Sequence, residues 1–160
     1  MAGFHGLFLR ALLAFLALPG IVAFLVPLIV LRAPDETWRT FRPAGWLALL
    51  PGLLLLFLCV REFYVAGKGT LAPWEPPRHL VVSGPYRFSR NPMYVAVLLV
   101  LIGWAVGFWS RALALYAATF VVVFHLRVIL AEEPFLADAH GEAWRTYKGR
   151  VPRWFGVIRS

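Results

Sequence analysis

Ser83-Gly84-Pro85-Tyr86-Arg87-Phe88-Ser89-Arg90-Asn91-Pro92-Met93-Tyr94 is a polar, basic turn that feeds into an apolar run. From Pro92 to Ser110 no side chain is charged. Asn is a favoured helix N-cap, and Pro suits the first helical position, where no amide hydrogen is needed. A helix is therefore expected to start at Asn91–Pro92. Its length approaches the roughly 20 residues that cross a bilayer. So specific a loop, set at the mouth of a membrane-length helix, points to a ligand site.

The rest of the composition agrees with a membrane setting. Of 160 residues, 61% are hydrophobic and 15% charged, against roughly 25% charged in soluble domains. The mean hydropathy is +0.73. A small soluble chain has too little interior to hide that much apolar surface. Further apolar runs lie at 11–31, 44–60 and 112–131, the last interrupted only by His125 and Arg127. The first exceeds the 7–15 apolar residues typical of a signal peptide and is read as an uncleaved span kinked at Pro19-Gly20 and Pro27. The expectation is one all-α integral-membrane domain over 1–160. It has about four transmembrane helices (11–31, 44–60, 92–110, 112–131), a long loop at 61–91 and a C-terminal cap at 132–160.

Charge placement orients these spans. Arg61, Lys68, Arg78, Arg87, Arg90, Arg145, Lys148, Arg150, Arg153 and Arg159 fall on one side, and Arg32, Arg39, Arg42 and Arg111 on the other. The positive-inside rule makes the first side cytoplasmic, together with both termini. Because the formal net charge of +8 arises from arginines flanking apolar runs, no nucleic-acid partner is expected. The tail reads as a surface helix with Leu136, Ala139, Ala143 and Tyr147 on one face and Asp138, Glu142 and Arg145 on another. Pro134 marks a break or a restart between the fourth span and that tail.

A tight turn at Arg111 makes the third and fourth spans antiparallel neighbours, so Asn91 should lie near Glu132. A helix N-terminus offers free amides and a positive dipole end, suited to a carboxylate or phosphate. Arg87 and Arg90 add positive charge there, while Glu132 and Glu133 supply the opposite charge and Tyr86, Tyr94, Trp74 and Trp144 flat apolar surfaces. Many ligands suit such a mixture, S-adenosylmethionine among them. His5, His79, His125 and His140 show no metal-ligand spacing, and the single Cys59 excludes a thiolate cluster, so no metal is expected. Neither a G-x-S-x-G elbow nor a properly spaced phosphate loop is present.

Longer blocks carry a resemblance. Gly69-Thr70, Pro73, Pro76-Pro77, Leu80-Val81, Gly84-Pro85-Tyr86-Arg87, Arg90-Asn91-Pro92-Met93-Tyr94, Glu132-Glu133-x-x-Leu136, Gly141, Tyr147 and Val151-Pro152-Arg153-Trp154 resemble the isoprenylcysteine carboxyl methyltransferase family and, more distantly, phospholipid N-methyltransferases. The resemblance covers about residues 61–155. It implies an S-adenosylmethionine-dependent membrane methyltransferase, here of a bacterial inner membrane. The implied cofactor contacts are Arg78, His79, Leu80, Val81, Tyr86, Asn91, Pro92, Met93, Tyr94 and Glu132, with the tail folded over the cofactor. Arg127 and Glu133 are the candidate catalytic residues. The sequence departs from the best-known relatives in having Asn91 where they have His, and Val128, beside Arg127, where they have Arg. The expected acceptor is a lipophilic molecule in the bilayer, such as the carboxylate of a prenylated thiol. Alternatives are an N-methyltransferase acting on a phospholipid or amine, and a non-catalytic accessory protein that keeps the fold. The oligomeric state is left open.

Overall fold

A computed structural model describes residues 16–32, 40–65 and 80–156. All regular structure among the described residues is helical, with no strand among them. Arg78, His79 and Trp74, named above, lie outside them, as does most of the loop between the second and third runs.

Helix α1 spans residues 16–31, with π-helical Leu16–Leu25 running into α-helical Val26–Leu31. A short 3-10 turn at Pro43–Gly45 leads into α2, Trp46–Val65. Another at Gly84–Arg87 precedes α3, Pro92–Phe108. Trp109, in the left-handed conformation, and Ser110 turn the chain into α4, Arg111–Arg127. The Ser110 side chain caps α4 by accepting from the Leu113 amide at 3.2 Å. A π-helical turn, Val128–Glu132, continues directly into α5, Glu133–Arg150.

Two of these stretches, Pro43–Glu62 and Arg111–Arg150, are long and apolar enough to cross a membrane. Pro19–Leu31 and Pro92–Phe108 are apolar but shorter.

Helix α3 is the centre of the bundle, with α2 and α4 packed on it. Glycines set the α2–α3 distance. A Cβ on Gly103 would stand 2.8 Å from the Leu49 backbone nitrogen, and one on Gly52 would stand 2.9 Å from that of Val100. Small residues let backbones approach this closely, which is how helices gain packing energy when no hydrophobic drive separates them from lipid. The core of Leu49, Leu56, Ala96, Val97, Val100, Leu101, Ala117 and Phe124 runs through α2, α3 and α4.

Helix α1 is held by a specific exchange of hydrogen bonds. Pro27 has no amide hydrogen, so the carbonyl of Ala23 loses its α-helical donor and that of Val22 its π-helical one. The Trp104 indole donates to Ala23 O at 3.0 Å, and the Tyr116 hydroxyl donates to Val22 O at 3.2 Å. Neighbouring helices thus satisfy the groups the proline frees, as an apolar surrounding requires.

Pro134 marks a restart and not a break: it sits in the first turn of α5, where no amide donor is needed, and the π turn before it carries the helix through. One sequence expectation needs correction. The apolar face of the tail is not Leu136–Ala139–Ala143–Tyr147. Ala139 and Ala143 are exposed, and the buried set is Trp144, Tyr147 and Val151 with Leu136 and Leu80 against it. Gly141 adopts φ 49 and ψ −116 within the helix, which shifts the helical phase after it and replaces Ala143 by Trp144.

Candidate functional site

The site forms where the N-terminus of α3, the end of α4 and the returning tail meet. Antiparallel packing of α3 and α4 brings Tyr94 to Glu132. The Tyr94 hydroxyl donates to Glu132 Oε1 in a short hydrogen bond. Arg127 Nε donates to the same carboxylate oxygen at 2.9 Å and to the Tyr94 oxygen at 3.0 Å. Glu132 and Arg127 remain 31% and 47% exposed, so this group of three is accessible. The Tyr94 ring stacks on Phe124, with centroids 4.4 Å apart, which fixes its direction. The π turn at Val128–Glu132 sets where Glu132 stands relative to Arg127, since wider coiling changes the angle between successive side chains.

Glu133 belongs to a different constellation. It is 9% exposed, and both its oxygens are held by cations. Arg90 NH1 donates to Oε1 at 2.8 Å, Arg153 Nε to Oε1 at 2.7 Å and Arg153 NH2 to Oε2 at 2.9 Å. Lys148 Nζ stands 3.9 Å from Oε2. Burial would raise the Glu133 pKa, but the Arg153 hydrogen bonds and the charges of Arg90, Arg153 and Lys148 outweigh it and hold it below the usual carboxylate value. Arg90 also lies over the Trp144 ring, 5.4 Å from its centroid. Its Nε is buried with no acceptor among the described residues.

Asn91 occupies the N-cap position of α3 without capping through its side chain. Its Nδ2 instead donates to the carbonyl of Arg153 at 3.0 Å. Ser89 Oγ donates to that carbonyl at 3.2 Å and accepts from the Asn91 amide at 3.1 Å, and the Arg90 amide donates to Pro152 O at 2.9 Å. These bonds stitch the returning segment 151–154 to the turn. Tyr147 adds a bond from its hydroxyl to Tyr86 O at 2.7 Å. Trp154 then lies over the site, its Nε1 donating to His125 Nδ1 at 3.2 Å and its ring 6.5 Å from that of Tyr94.

Of the other residues singled out from sequence, Val81 and Tyr86 are buried beside Cys59, with Met93 packed against them, and Leu80 packs on the tail cluster. Pro92 is buried at the first turn of α3. The structure thus brings Tyr94, Glu132 and Arg127 together and places Glu133 among arginines. Sequence reasoning assigned no part in the site to Ser89, Lys148, Arg153 or Trp154. Only the Val151-Pro152-Arg153-Trp154 block hinted at Arg153 and Trp154, because their contacts arise from chain reversal and not from local spacing.

Comparison with known proteins adds independent information. A 76-residue stretch, 48% of this chain, is 37% identical to the cobalt-zinc-cadmium resistance protein CzcN of Cupriavidus metallidurans. That match spans about a third of the relative's length, 35%. An uncharacterized protein of Haemophilus influenzae is 32% identical over 62 residues, which is 39% of this chain and 98% of that protein. No solved structure matches the chain. The sequence pattern of one family runs through residues 45–143, from the start of α2, through the turn and both partners of the Tyr94–Glu132 bond, to the kinked part of α5. By that match the chain belongs to the phospholipid methyltransferase family.

Proposed function

We propose that this protein transfers a methyl group from S-adenosylmethionine to a lipophilic acceptor that reaches the site from the bilayer. On this reading the chain crosses a bacterial inner membrane about four times, with both termini and the site on the cytoplasmic side. The observation that carries it is the accessible Tyr94–Glu132–Arg127 group beside the N-terminus of α3, in a chain of a methyltransferase family.

The donor set fits the cofactor chemically. Glu132 can accept from an ammonium or a ribose hydroxyl. The α3 N-terminus offers amide donors and a positive dipole end, which a carboxylate can engage. The other proposed contacts are Leu80, Asn91, Pro92 and Met93 near the turn, Val81 and Tyr86 packed behind them against Cys59, and Arg78 and His79.

S-adenosylmethionine, when bound, supplies a methyl group already activated on a sulfonium. The protein's task is then positioning and electrostatics. Glu132, held from two sides, presents a carboxylate of fixed direction. Among the described residues Arg127 bonds through Nε alone, which leaves its terminal nitrogens to orient an acidic acceptor. Glu133 is assigned the role of holding Arg90 and Arg153, since its oxygens are already engaged.

The amine of a phospholipid headgroup is the second acceptor class, favoured by the family match itself. Calorimetry in detergent tests the cofactor step: wild type should bind S-adenosylmethionine and Glu132→Ala should bind it at least tenfold more weakly. No binding by wild type, or equal binding by both, would sink the proposal. Mass analysis of methylated products from phosphatidylethanolamine and from prenylated thiol-acids separates the two acceptor classes.

A further inference from the structure

On the α2 side of α3, away from Tyr94, lies a cleft of about 610 Å³. Leu55 and Leu58 of α2, Pro92 and Val95 of α3, and Phe88 form its apolar wall, and Trp154 closes one end. Arg61 and Arg87 also line it, with Glu62 between them in the chain the one acidic lining residue. We propose that this cleft binds a bilayer phospholipid with an anionic headgroup, its acyl chain along the apolar wall and its phosphate against the two arginines.

The argument is one of level and charge. The apolar stretch of α2 ends at Glu62 and that of α3 begins at Pro92. The turn that leads into α3 is tied to that end of α2 by a 2.6 Å bond from Ser83 Oγ to Glu62 Oε2. Arg61 and Arg87 thus stand at the boundary where apolar helix gives way to polar turn, which is the depth of lipid headgroups. The apolar wall lies within the spans, one or two turns below. Arg87 is exposed and has no ion-pair partner among the described residues. Arg61 meets Glu62 at 3.0 Å but stays 56% exposed, while Glu62 is 13% exposed and turned toward Ser83. The surplus at the rim is positive, and basic pockets between spans are suited to acidic headgroups. Phe88 and Phe155, 66% and 80% exposed, leave further apolar lining open to an acyl chain. The volume lies within the range of roughly 300–1,000 Å³ of small-molecule sites.

The inference goes beyond methyl transfer and does not depend on it: the cleft and Tyr94 lie on different faces of α3, with Trp154 the residue that touches both. Native mass spectrometry of the whole chain in detergent tests it, with phosphatidylglycerol and phosphatidylcholine of identical acyl chains at equal concentration. Wild type should retain phosphatidylglycerol over phosphatidylcholine by about fivefold per contributing arginine. Arg61→Gln and Arg87→Gln should each remove about that factor, and Arg87→Lys should keep most of it. Leu58→Trp, which narrows the cleft from a partly exposed position, should weaken both lipids alike. Equal retention of both lipids by wild type, a preference that survives the double Gln variant, a Lys variant as poor as Gln, unchanged lipid binding in Leu58→Trp, or a second copy of the chain in place of lipid would each overturn it.

Discussion

Arg153 grips the Glu133 carboxylate with two nitrogens, Nε at 2.7 Å and NH2 at 2.9 Å, and so locks the returning tail to the first turn of α5. Arg90 completes the arrangement from the turn before α3, its side chain 8% exposed. Removing one partner of a buried pair leaves an uncompensated charge and costs about 3–5 kcal/mol. Glu133→Ala should therefore lower thermal stability in detergent sharply. Arg145→Ala, which breaks the exposed pair with Glu142, should change it by less than about 1 kcal/mol. A Glu133→Ala protein as stable as wild type contradicts the strut role.

The same carboxylate makes stability depend on pH. Glu133 lies just past the fourth apolar run, and its pKa is held below the ordinary value. A group whose folded pKa is depressed contributes stability fully above its unfolded pKa, about 4.3, and loses it as pH falls through the folded value. Unfolding midpoints should be flat with respect to this group near neutrality and fall in acid below pH ~4. Glu133→Gln should flatten that acid limb, which a comparison of melts at stepped pH will read out.

Pro27 and Trp104 should be energetically coupled. In Trp104→Phe the Ala23 carbonyl, fully buried, loses its donor, at a cost of about 1–3 kcal/mol. Pro27→Ala restores a backbone amide that can take the place of the indole. In a double-mutant cycle, Trp104→Phe should hurt less in the Pro27→Ala background than in wild type. Additive effects would show that the indole bond does not compensate for the proline.

Helix contact through glycine gives a steric prediction. Gly103→Ala puts a methyl 2.8 Å from the Leu49 backbone, where neither side can yield cheaply, whereas Gly149 has nothing within 4 Å of an added Cβ. Overpacking costs about 1–3 kcal/mol, so Gly103→Ala should destabilise while Gly149→Ala leaves stability unchanged or raised. Equal melting temperatures for the two variants would remove the close approach of α2 and α3 as a source of stability.

Local chemistry made some of this legible from sequence. Pro92 opens α3 because its missing amide and fixed φ suit a first turn. Tyr94 and Glu132 meet because a short turn at Trp109–Ser110 leaves α3 and α4 no arrangement but an antiparallel one. Long-range partners were not legible. Asn91 reads as a cap, yet Arg153 O, 62 residues away, wins its amide group. Glu132 and Glu133 are adjacent and chemically identical, and the π turn and the tail's return decide which is accessible and which is buried among arginines. The tail face was misread because one positive-φ glycine changes helical phase in a way periodicity does not encode.

Tyr94 is the residue that ties this geometry to function most directly. Its hydroxyl donates to Glu132 and accepts from Arg127, so it fixes the carboxylate and the cation at once. Tyr94→Phe keeps the ring stacked on Phe124 and removes only that bridge. Under the proposed function the loss falls on Glu132's direction, and cofactor affinity should drop about threefold to tenfold, as for one net hydrogen bond. The fold should be nearly unaffected, because the group is partly exposed and Arg127 still reaches Glu132 at 2.9 Å. Arg127→Ala should leave cofactor affinity closer to wild type and reduce turnover with an acidic acceptor more than with an amine. Calorimetry with S-adenosylmethionine, followed by product analysis on both acceptor classes, separates the two effects. Tyr94→Phe binding as tightly as wild type would mean that the bridge has no part in holding the cofactor.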